Sequence, residues 1–461
     1  MTSKVTVKEK GPVSTGGLIA LIIPFVIVWG LGLKGIIDFA PYISSGEWTT
    51  VFGSFGAIMP YLLFSAVFLI LLSIIGGILV LKLGKDHGIG VVYAGNTLLL
   101  IISLVSAALP FIFLGDASLE TKLYSAIAPL FMLLISVLNF TIWRDRLRRS
   151  GKFLSLTCSA LLDEKETLVV PLISPFLYMI TLGFLALGVA DVIVTIPAYL
   201  TANAEYYIFG MVTVDVVAFL YLTILFYYMS DAIIISIVYD WYRNRDPSFK
   251  TGVRHMLNVL GALAVFAIYS TIVKLIQSAL ESRGQRAGAS AVFYRSASDI
   301  VGRVWKYINY FTLPAIVIDR KGTHHAIKRS VKLLFRYYAD VIIRESAVKW
   351  GMIILYLMFA LPFFIAGMGV GYIVFGFDVL MMVAVGVVFL LVGSIFAYPI
   401  FHALTVGYIT IMYGFVEDIE SNFAQPSRIK GEIFYELKPA IQKAYEKARV
   451  KDPNAPPPPE F

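Results

Sequence analysis

Leu168–Leu200 reads LVVPLISPFLYMITLGFLALGVADVIVTIPAYL, 33 residues with one charge, Asp191. Five residues later Tyr206–Tyr239 reads YYIFGMVTVDVVAFLYLTILFYYMSDAIIISIVY, with Asp215 and Asp231 as its only charges. An α-helix rises about 1.5 Å per residue and the hydrocarbon layer of a bilayer is about 30 Å thick, so about 20 apolar residues are enough to cross it. Lipid offers no partner to a backbone N–H or C=O, so runs of this kind must be helical. Two membrane-spanning helices joined at Thr201–Glu205 are the reading that decides the fold.

Eight further runs share this character. Gly16–Leu33, Val51–Leu81, Gly88–Leu114 and Leu123–Trp143 precede the hairpin; Val253–Val273, Val301–Ile318, Trp350–Phe377 and Val379–Val416 follow it. Val301–Ile318 opens with Arg303 and Lys306, and Val379–Val416 is long enough for a bend at Pro399. Composition agrees: 58% hydrophobic and 15% charged, with a mean hydropathy of +0.80, excludes a soluble domain and a disordered chain. One cysteine, Cys158, excludes a disulfide scaffold. The expected fold is all-α, a polytopic helical membrane protein of about ten transmembrane helices with cytoplasmic amphipathic helices. Nine runs follow Gly16–Leu33, and it lacks an A-x-A-like cleavage site, so it is expected to stay as the first permanent helix. Asn, Gln and Cys total only 13, which points to a thermophilic source.

Lys and Arg accumulate on the cytoplasmic side of membrane proteins. With the amino terminus inside, the inner connections hold 30 of the 38 basic residues; the outer ones hold Lys34, Lys122 and six between Lys274 and Lys306. Strict alternation then predicts a multi-pass protein of the cell membrane with both termini cytoplasmic.

The basic stretch Arg144–Lys152 is the expected internal boundary. It divides a four-helix membrane region over 1–149 from a six-helix membrane domain over 150–425, and 426–461 follows as a cytoplasmic helix and Pro-rich tail. Phe153–Leu162 is expected as a short interfacial helix leading to Pro171 and Pro175. Asp246-Pro247-Ser248 and Thr323 each offer a helix cap. Lys328, Lys332, Arg336, Asp340 and Arg344 recur every four residues, one polar stripe of a helix whose other face carries Ile327, Val331 and Leu334. Such a helix lies along the inner membrane surface, with anionic headgroups as its partner, or packs on the other loops. The tail closes in Asp452-Pro453-Asn454-Ala455-Pro456-Pro457-Pro458-Pro459, a flexible end or a docking strand for a protein partner. No nucleic-acid partner is expected.

Three stretches carry a resemblance: Leu162–Ser174 (LDEKETLVVPLIS), Asp246-Pro247-Ser248, and Trp305–Ser330 with Leu313-Pro314-Ala315-Ile316-Val317, Asp319, Gly322, Ala326 and Arg329-Ser330. Over about 150–425 they resemble a prokaryotic, here archaeal, integral-membrane family of unknown function. That family is distantly similar to the membrane domain attached to some glycerophosphodiester phosphodiesterases. The catalytic barrel of those enzymes is missing, so the resemblance implies the membrane fold and not their activity.

Chemistry is sought first at carboxylates inside the spans, because a charge at membrane depth costs several kcal/mol unless paired, protonated or hydrated. Asp191 and Asp215 each lie 12 residues from position 203, so an antiparallel hairpin puts them at similar depth. Such a pair shares a proton or a cation, or is met by Lys274 near the outer end of the seventh span. Alternatively, each bonds a neighbouring helix or faces water. Asp231 lies about 160° around the helix from Asp215 and belongs to no common site with it. His324 and His325 are adjacent, and His87, His255 and His402 lack ligand spacing, so neither a metal nor a cofactor is expected. Gly367 and Gly371, spaced G-x-x-x-G, read as a helix-packing face. No Walker sequence or nucleophile elbow appears, and the chain does not read as an enzyme. Transport or handling of a small solute, ion or lipid through the Asp191, Asp215, Lys274 region is the leading reading. The alternative is a non-catalytic membrane scaffold or assembly subunit, with a lipid-modifying enzyme third.

Overall fold

In the computed structural model the described residues are 15–44, 47–113, 118–199, 204–286, 291–334, 339–421 and 426–428, with 442, 446, 449 and 450. Among them the regular structure is helical throughout. In order come α1 (Thr15–Ser44), α2 (Glu47–Phe113), α3 (Leu119–Phe140), α4 (Arg144–Asp163), α5 (Glu166–Val169) and a 3-10 turn at Val170–Leu172. After these come α6 (Ile173–Tyr199), α7 (Ala204–Tyr242), α8 (Phe249–Arg286), α9 (Ala291–Ile308), α10 (Thr312–Val317), α11 (Thr323–Leu333), α12 (Ala339–Phe375) and α13 (Val379–Glu420). Among the described residues seven helices are long and apolar enough to cross a membrane. The number is eight if the halves of α3, bent by 43° before Pro129, count as one span. The protein is therefore an all-α, polytopic membrane protein, in which the continuous spans among the described residues number fewer than the expected ten.

One expected loop and one expected span are corrected. The boundary expected between Val51–Leu81 and Gly88–Leu114 falls at His87, whose φ −126°, ψ 26° breaks α2 into two helices, with Lys82–Asp86 helical in place of the expected loop. Val301–Ile318 is not one helix either. α9 stops at Ile308 because the next groups bond elsewhere: Asn309 Nδ2 donates to Trp305 O, and the Phe311 N–H goes to Ser330 Oγ, which itself donates to Ile308 O. Pro314, which has no N–H to give, sits in the first turn of α10.

The chain forms two compact units. The first comprises Met1–Leu63, Val169–Ile237 and Pro247–Lys332. Within it α1 runs parallel to α6, with Trp29 Nε1 on Thr181 Oγ1 at 3.4 Å and Lys34 on Asp191 at 2.6 Å farther along both helices. The helices lie so close that a Cβ on Gly32 would meet Phe184 at 2.6 Å, and one on Gly35 the Leu187 carbonyl oxygen at 2.6 Å. α7 runs antiparallel to α6, with Ser230 Oγ donating to Val170 O, and α8 antiparallel to α7, with Ser236 on His255 and Tyr228 on Ser270. The chain from α9 onward returns along α8: Ser298 meets Gln277 and Glu281, Trp305 stacks on Phe266, and Thr323 Oγ1 donates to Ala262 O. Thr323 thus ties α11 to α8 and does not cap its own helix. Ser248, not Asp246, caps α8, its Oγ accepting from Thr251 N.

The second unit comprises Phe64–Leu168, Val238–Asp246 and Leu333–Phe461. Phe153–Leu162, expected at the membrane surface, belongs to the longer α4 and is packed inside this unit. Leu147, Leu154, Cys158 and Leu161 form a stripe at helical spacing that is buried. Phe153 meets Phe415 edge-on at 5.2 Å, and Thr157 lies against Gly407 of α13. Glycines permit these approaches: a Cβ on Gly88 would come within 2.5 Å of Gly151 O. Gly367 and Gly371 form the expected packing face, since a Cβ on them would meet Phe389 Cβ at 2.6 Å and Met382 Cα at 2.8 Å of α13.

Candidate functional site

Asp191 and Asp215 both lie inside the first unit, 3% and 1% exposed, but in different surroundings. The Lys34 ammonium, on α1, sits 2.6 Å from Asp191 Oδ2 and 2.7 Å from Asp38 Oδ2, and Thr195 Oγ1 donates to Asp191 Oδ1 at 2.8 Å. Lys34 and Asp38 lie on α1, and Asp191 and Thr195 on α6, with Asp191 eight residues before the end of that helix at Tyr199.

Asp215 lies about 16 Å along α7 from its start at 1.5 Å per residue. Its carboxylate reaches the junction of α1, α6 and α7. A Cβ built on Gly188 would lie 3.3 Å from Asp215 Oδ2, 3.0 Å from Leu31 Cβ and 3.3 Å from Gly32 N. The missing side chain at Gly188 leaves the room that the carboxylate occupies. Neither oxygen of Asp215 has a hydrogen-bond partner among the described residues. A buried carboxylate of this kind is costly, and proteins keep such groups where they meet a proton or a ligand.

Lys274, expected to meet the pair, is exposed on α8, and the cation on Asp191 is Lys34. Lys34 was legible only as a basic residue outside the spans. Asp231 is also buried on α7, four turns beyond Asp215. Of the basic stripe, Lys328 and Lys332 are exposed on α11, whose buried side carries Ala326, Ser330 and Leu333. Arg336 lies outside the described residues, and Arg344 falls in the opening turns of α12. Asp319, part of the quoted stretch, pairs with Lys321 at 2.9 Å and Arg329 at 3.6 Å.

A second polar cluster, which the sequence did not single out, closes the second unit where α7 and α13 end. Arg243 is 2% exposed; it bonds Asp418, reaches Glu417 Oε2 at 2.9 Å and donates from Nε to Tyr239 Oη at 3.1 Å. Tyr242 donates to Asp418 and Tyr239 to Glu417, both at 2.6 Å. Burial disfavours the charged guanidinium, but the Asp418 carboxylate outweighs it and raises the Arg243 pKa. Arg428, just after α13, stacks on Trp241 at 4.1 Å and donates to its carbonyl, while the Trp241 indole donates to Asp163. Opposite charges directly after two long apolar runs, Arg243 and Glu417-Asp418, were the available signal. Every group here is satisfied by a neighbour, as a structural clasp requires.

The profile of the plasma-membrane choline transporter family matches residues 127–420, well over half of the chain. The chain belongs to this family. Membership in it overturns the likeness to the glycerophosphodiester phosphodiesterase-associated membrane domain and to a family of unknown function, and it carries no mark of an archaeal or hot-living source. It also makes this a multi-pass protein of a family that moves a small solute across a membrane. No curated protein matches the chain closely enough to count as a relative.

Proposed function

We propose that the chain carries choline or a similarly small organic cation across the membrane, and that Asp215 is the carboxylate this cation meets. Membership in the choline transporter family supports a transport role. The observation that carries the site is Asp215 itself, buried at a junction of three helices with neither oxygen bonded. A quaternary ammonium has no N–H to donate; it needs negative charge and apolar walls, which Asp215, Leu31 and Gly188 supply. Asp191 has Lys34 as its ion-pair partner, whereas neither oxygen of Asp215 is bonded among the described residues. On this reading the protein is not an enzyme, and both termini are cytoplasmic.

The test is uptake of radiolabelled choline into vesicles of phosphatidylethanolamine and phosphatidylglycerol containing the purified protein. Wild type should accumulate choline above protein-free vesicles, and Asp215→Asn should reduce uptake to that background at an unchanged folded yield. Wild-type vesicles that match protein-free ones would refute the transport reading, and full uptake by Asp215→Asn would refute the site.

A further inference from the structure

The wall of the first unit beside Asp215 is grooved. Val26, Ile27, Gly30 and Leu31 of α1 and Gly210, Met211 and Val214 of α7 line a cleft of about 440 Å³ without one polar side chain. Its outer lip is exposed, Val26 by 61% and Val214 by 53%, so in a bilayer it opens on acyl chains. Its inner end is Leu31, the residue that flanks Gly188 together with the Asp215 carboxylate. Val214 immediately precedes Asp215. Gly30 and Gly210 keep the cleft wide, for a Cβ on either would meet nothing within 4 Å. Glycine is thus not required there by packing within the protein, unlike Gly32 and Gly35 on the neighbouring face of α1.

We propose that this groove is the tail subsite of the cation site. The protein takes alkyl-substituted quaternary ammonium compounds, which enter laterally from the bilayer with the ammonium toward Asp215 and the alkyl chain along Gly30 and Gly210. A purely hydrophilic cation would leave the cleft unfilled, and a neutral lipid tail would leave Asp215 without a counter-charge. An amphiphilic cation satisfies both. The inference rests on the reading of Asp215 as the cation site and adds the class of substrate and its route.

Binding separates this from transport. Radiolabelled hexyltrimethylammonium, added to the purified full-length protein in the same choline-free vesicles, should bind about tenfold more tightly than tetramethylammonium, because buried methylenes each add affinity. Asp215→Asn should abolish saturable binding of both. Gly210→Leu, which fills the groove, should remove the hexyl preference, while Gly183→Leu, at an equally open glycine of α6 outside the groove, should not. Equal affinity for the two probes, or a hexyl preference that survives Gly210→Leu, would overturn the groove while leaving Asp215 as a cation site. Saturable binding with this pattern in vesicles that accumulate no choline would uphold the groove and sink the transport reading. Binding indifferent to Asp215→Asn would overturn both.

Discussion

Asp191 and Asp215 stand out in the sequence for one reason, a charge inside an apolar run, and equal spacing from the turn made them look alike. The structure separates them. Asp191 is answered by Lys34, 157 residues away, through the parallel packing of α1 on α6. No local pattern announces that pairing, which depends on Gly32 and Gly35 admitting α6. Asp215 is answered by nothing described, and the glycine that makes room for it, Gly188, is ordinary in a membrane helix. The expected outcome is unequal: Asp191→Asn should lower the thermal midpoint by leaving Lys34 with Asp38 alone, whereas Asp215→Asn should leave it unchanged or raised. Thermal unfolding in detergent measures both. Cys158 is a simpler case. Burial pushes its thiol up, and it is fully enclosed, so maleimide should modify it only after unfolding.

At the scale of elements, the long runs were legible because apolar length is decided by the bilayer, and the breaks were not, because they are decided by partners. Val301–Ile318 looks like a span until Ser330, twelve residues beyond it, takes the Phe311 N–H. α4 looks like a surface helix until its apolar stripe meets α13. The clasp at the ends of α7 and α13 gives the clearest energetic prediction. Removing one partner of a buried pair leaves the other charge stranded at a cost of about 3–5 kcal/mol, whereas removing both costs far less. Arg243→Met should therefore destabilise the protein strongly in denaturant titrations, and Arg243→Met with Asp418→Leu should recover most of the loss. Glu164 behaves oppositely. Burial first, then Asp163, Asp246 and Glu166, hold its carboxyl above the usual range. A carboxyl raised by folding favours the folded state at low pH and loses that contribution as pH rises through its folded value. Glu164→Gln should thus stabilise at neutral pH and make no difference in acid, as unfolding at the two pH values would show.

For the whole molecule, the contact of Arg243 with Asp418 sets a parity. It brings the C-terminal ends of α7 and α13 together, so both helices leave the membrane on one side. α8, α12 and α13 make three crossings between those ends, and a fourth is needed. The segment of α9 and α10, which runs back along α8 to the level of Ala262, is expected to supply it as a broken crossing. In a Cys158→Ser background, Ser296→Cys and His324→Cys should therefore react with impermeant maleimide from opposite faces, and labelling from one face would remove that crossing. The central claim, that a cation meets Asp215, is reached most directly by chemistry on the carboxyl itself. Dicyclohexylcarbodiimide, which reaches carboxyls from the apolar phase, should modify Asp215 and spare the ion-paired Asp191 in peptides read by mass spectrometry. Choline should protect Asp215 in a saturable manner. Modification of Asp215 that choline leaves unchanged would contradict the account.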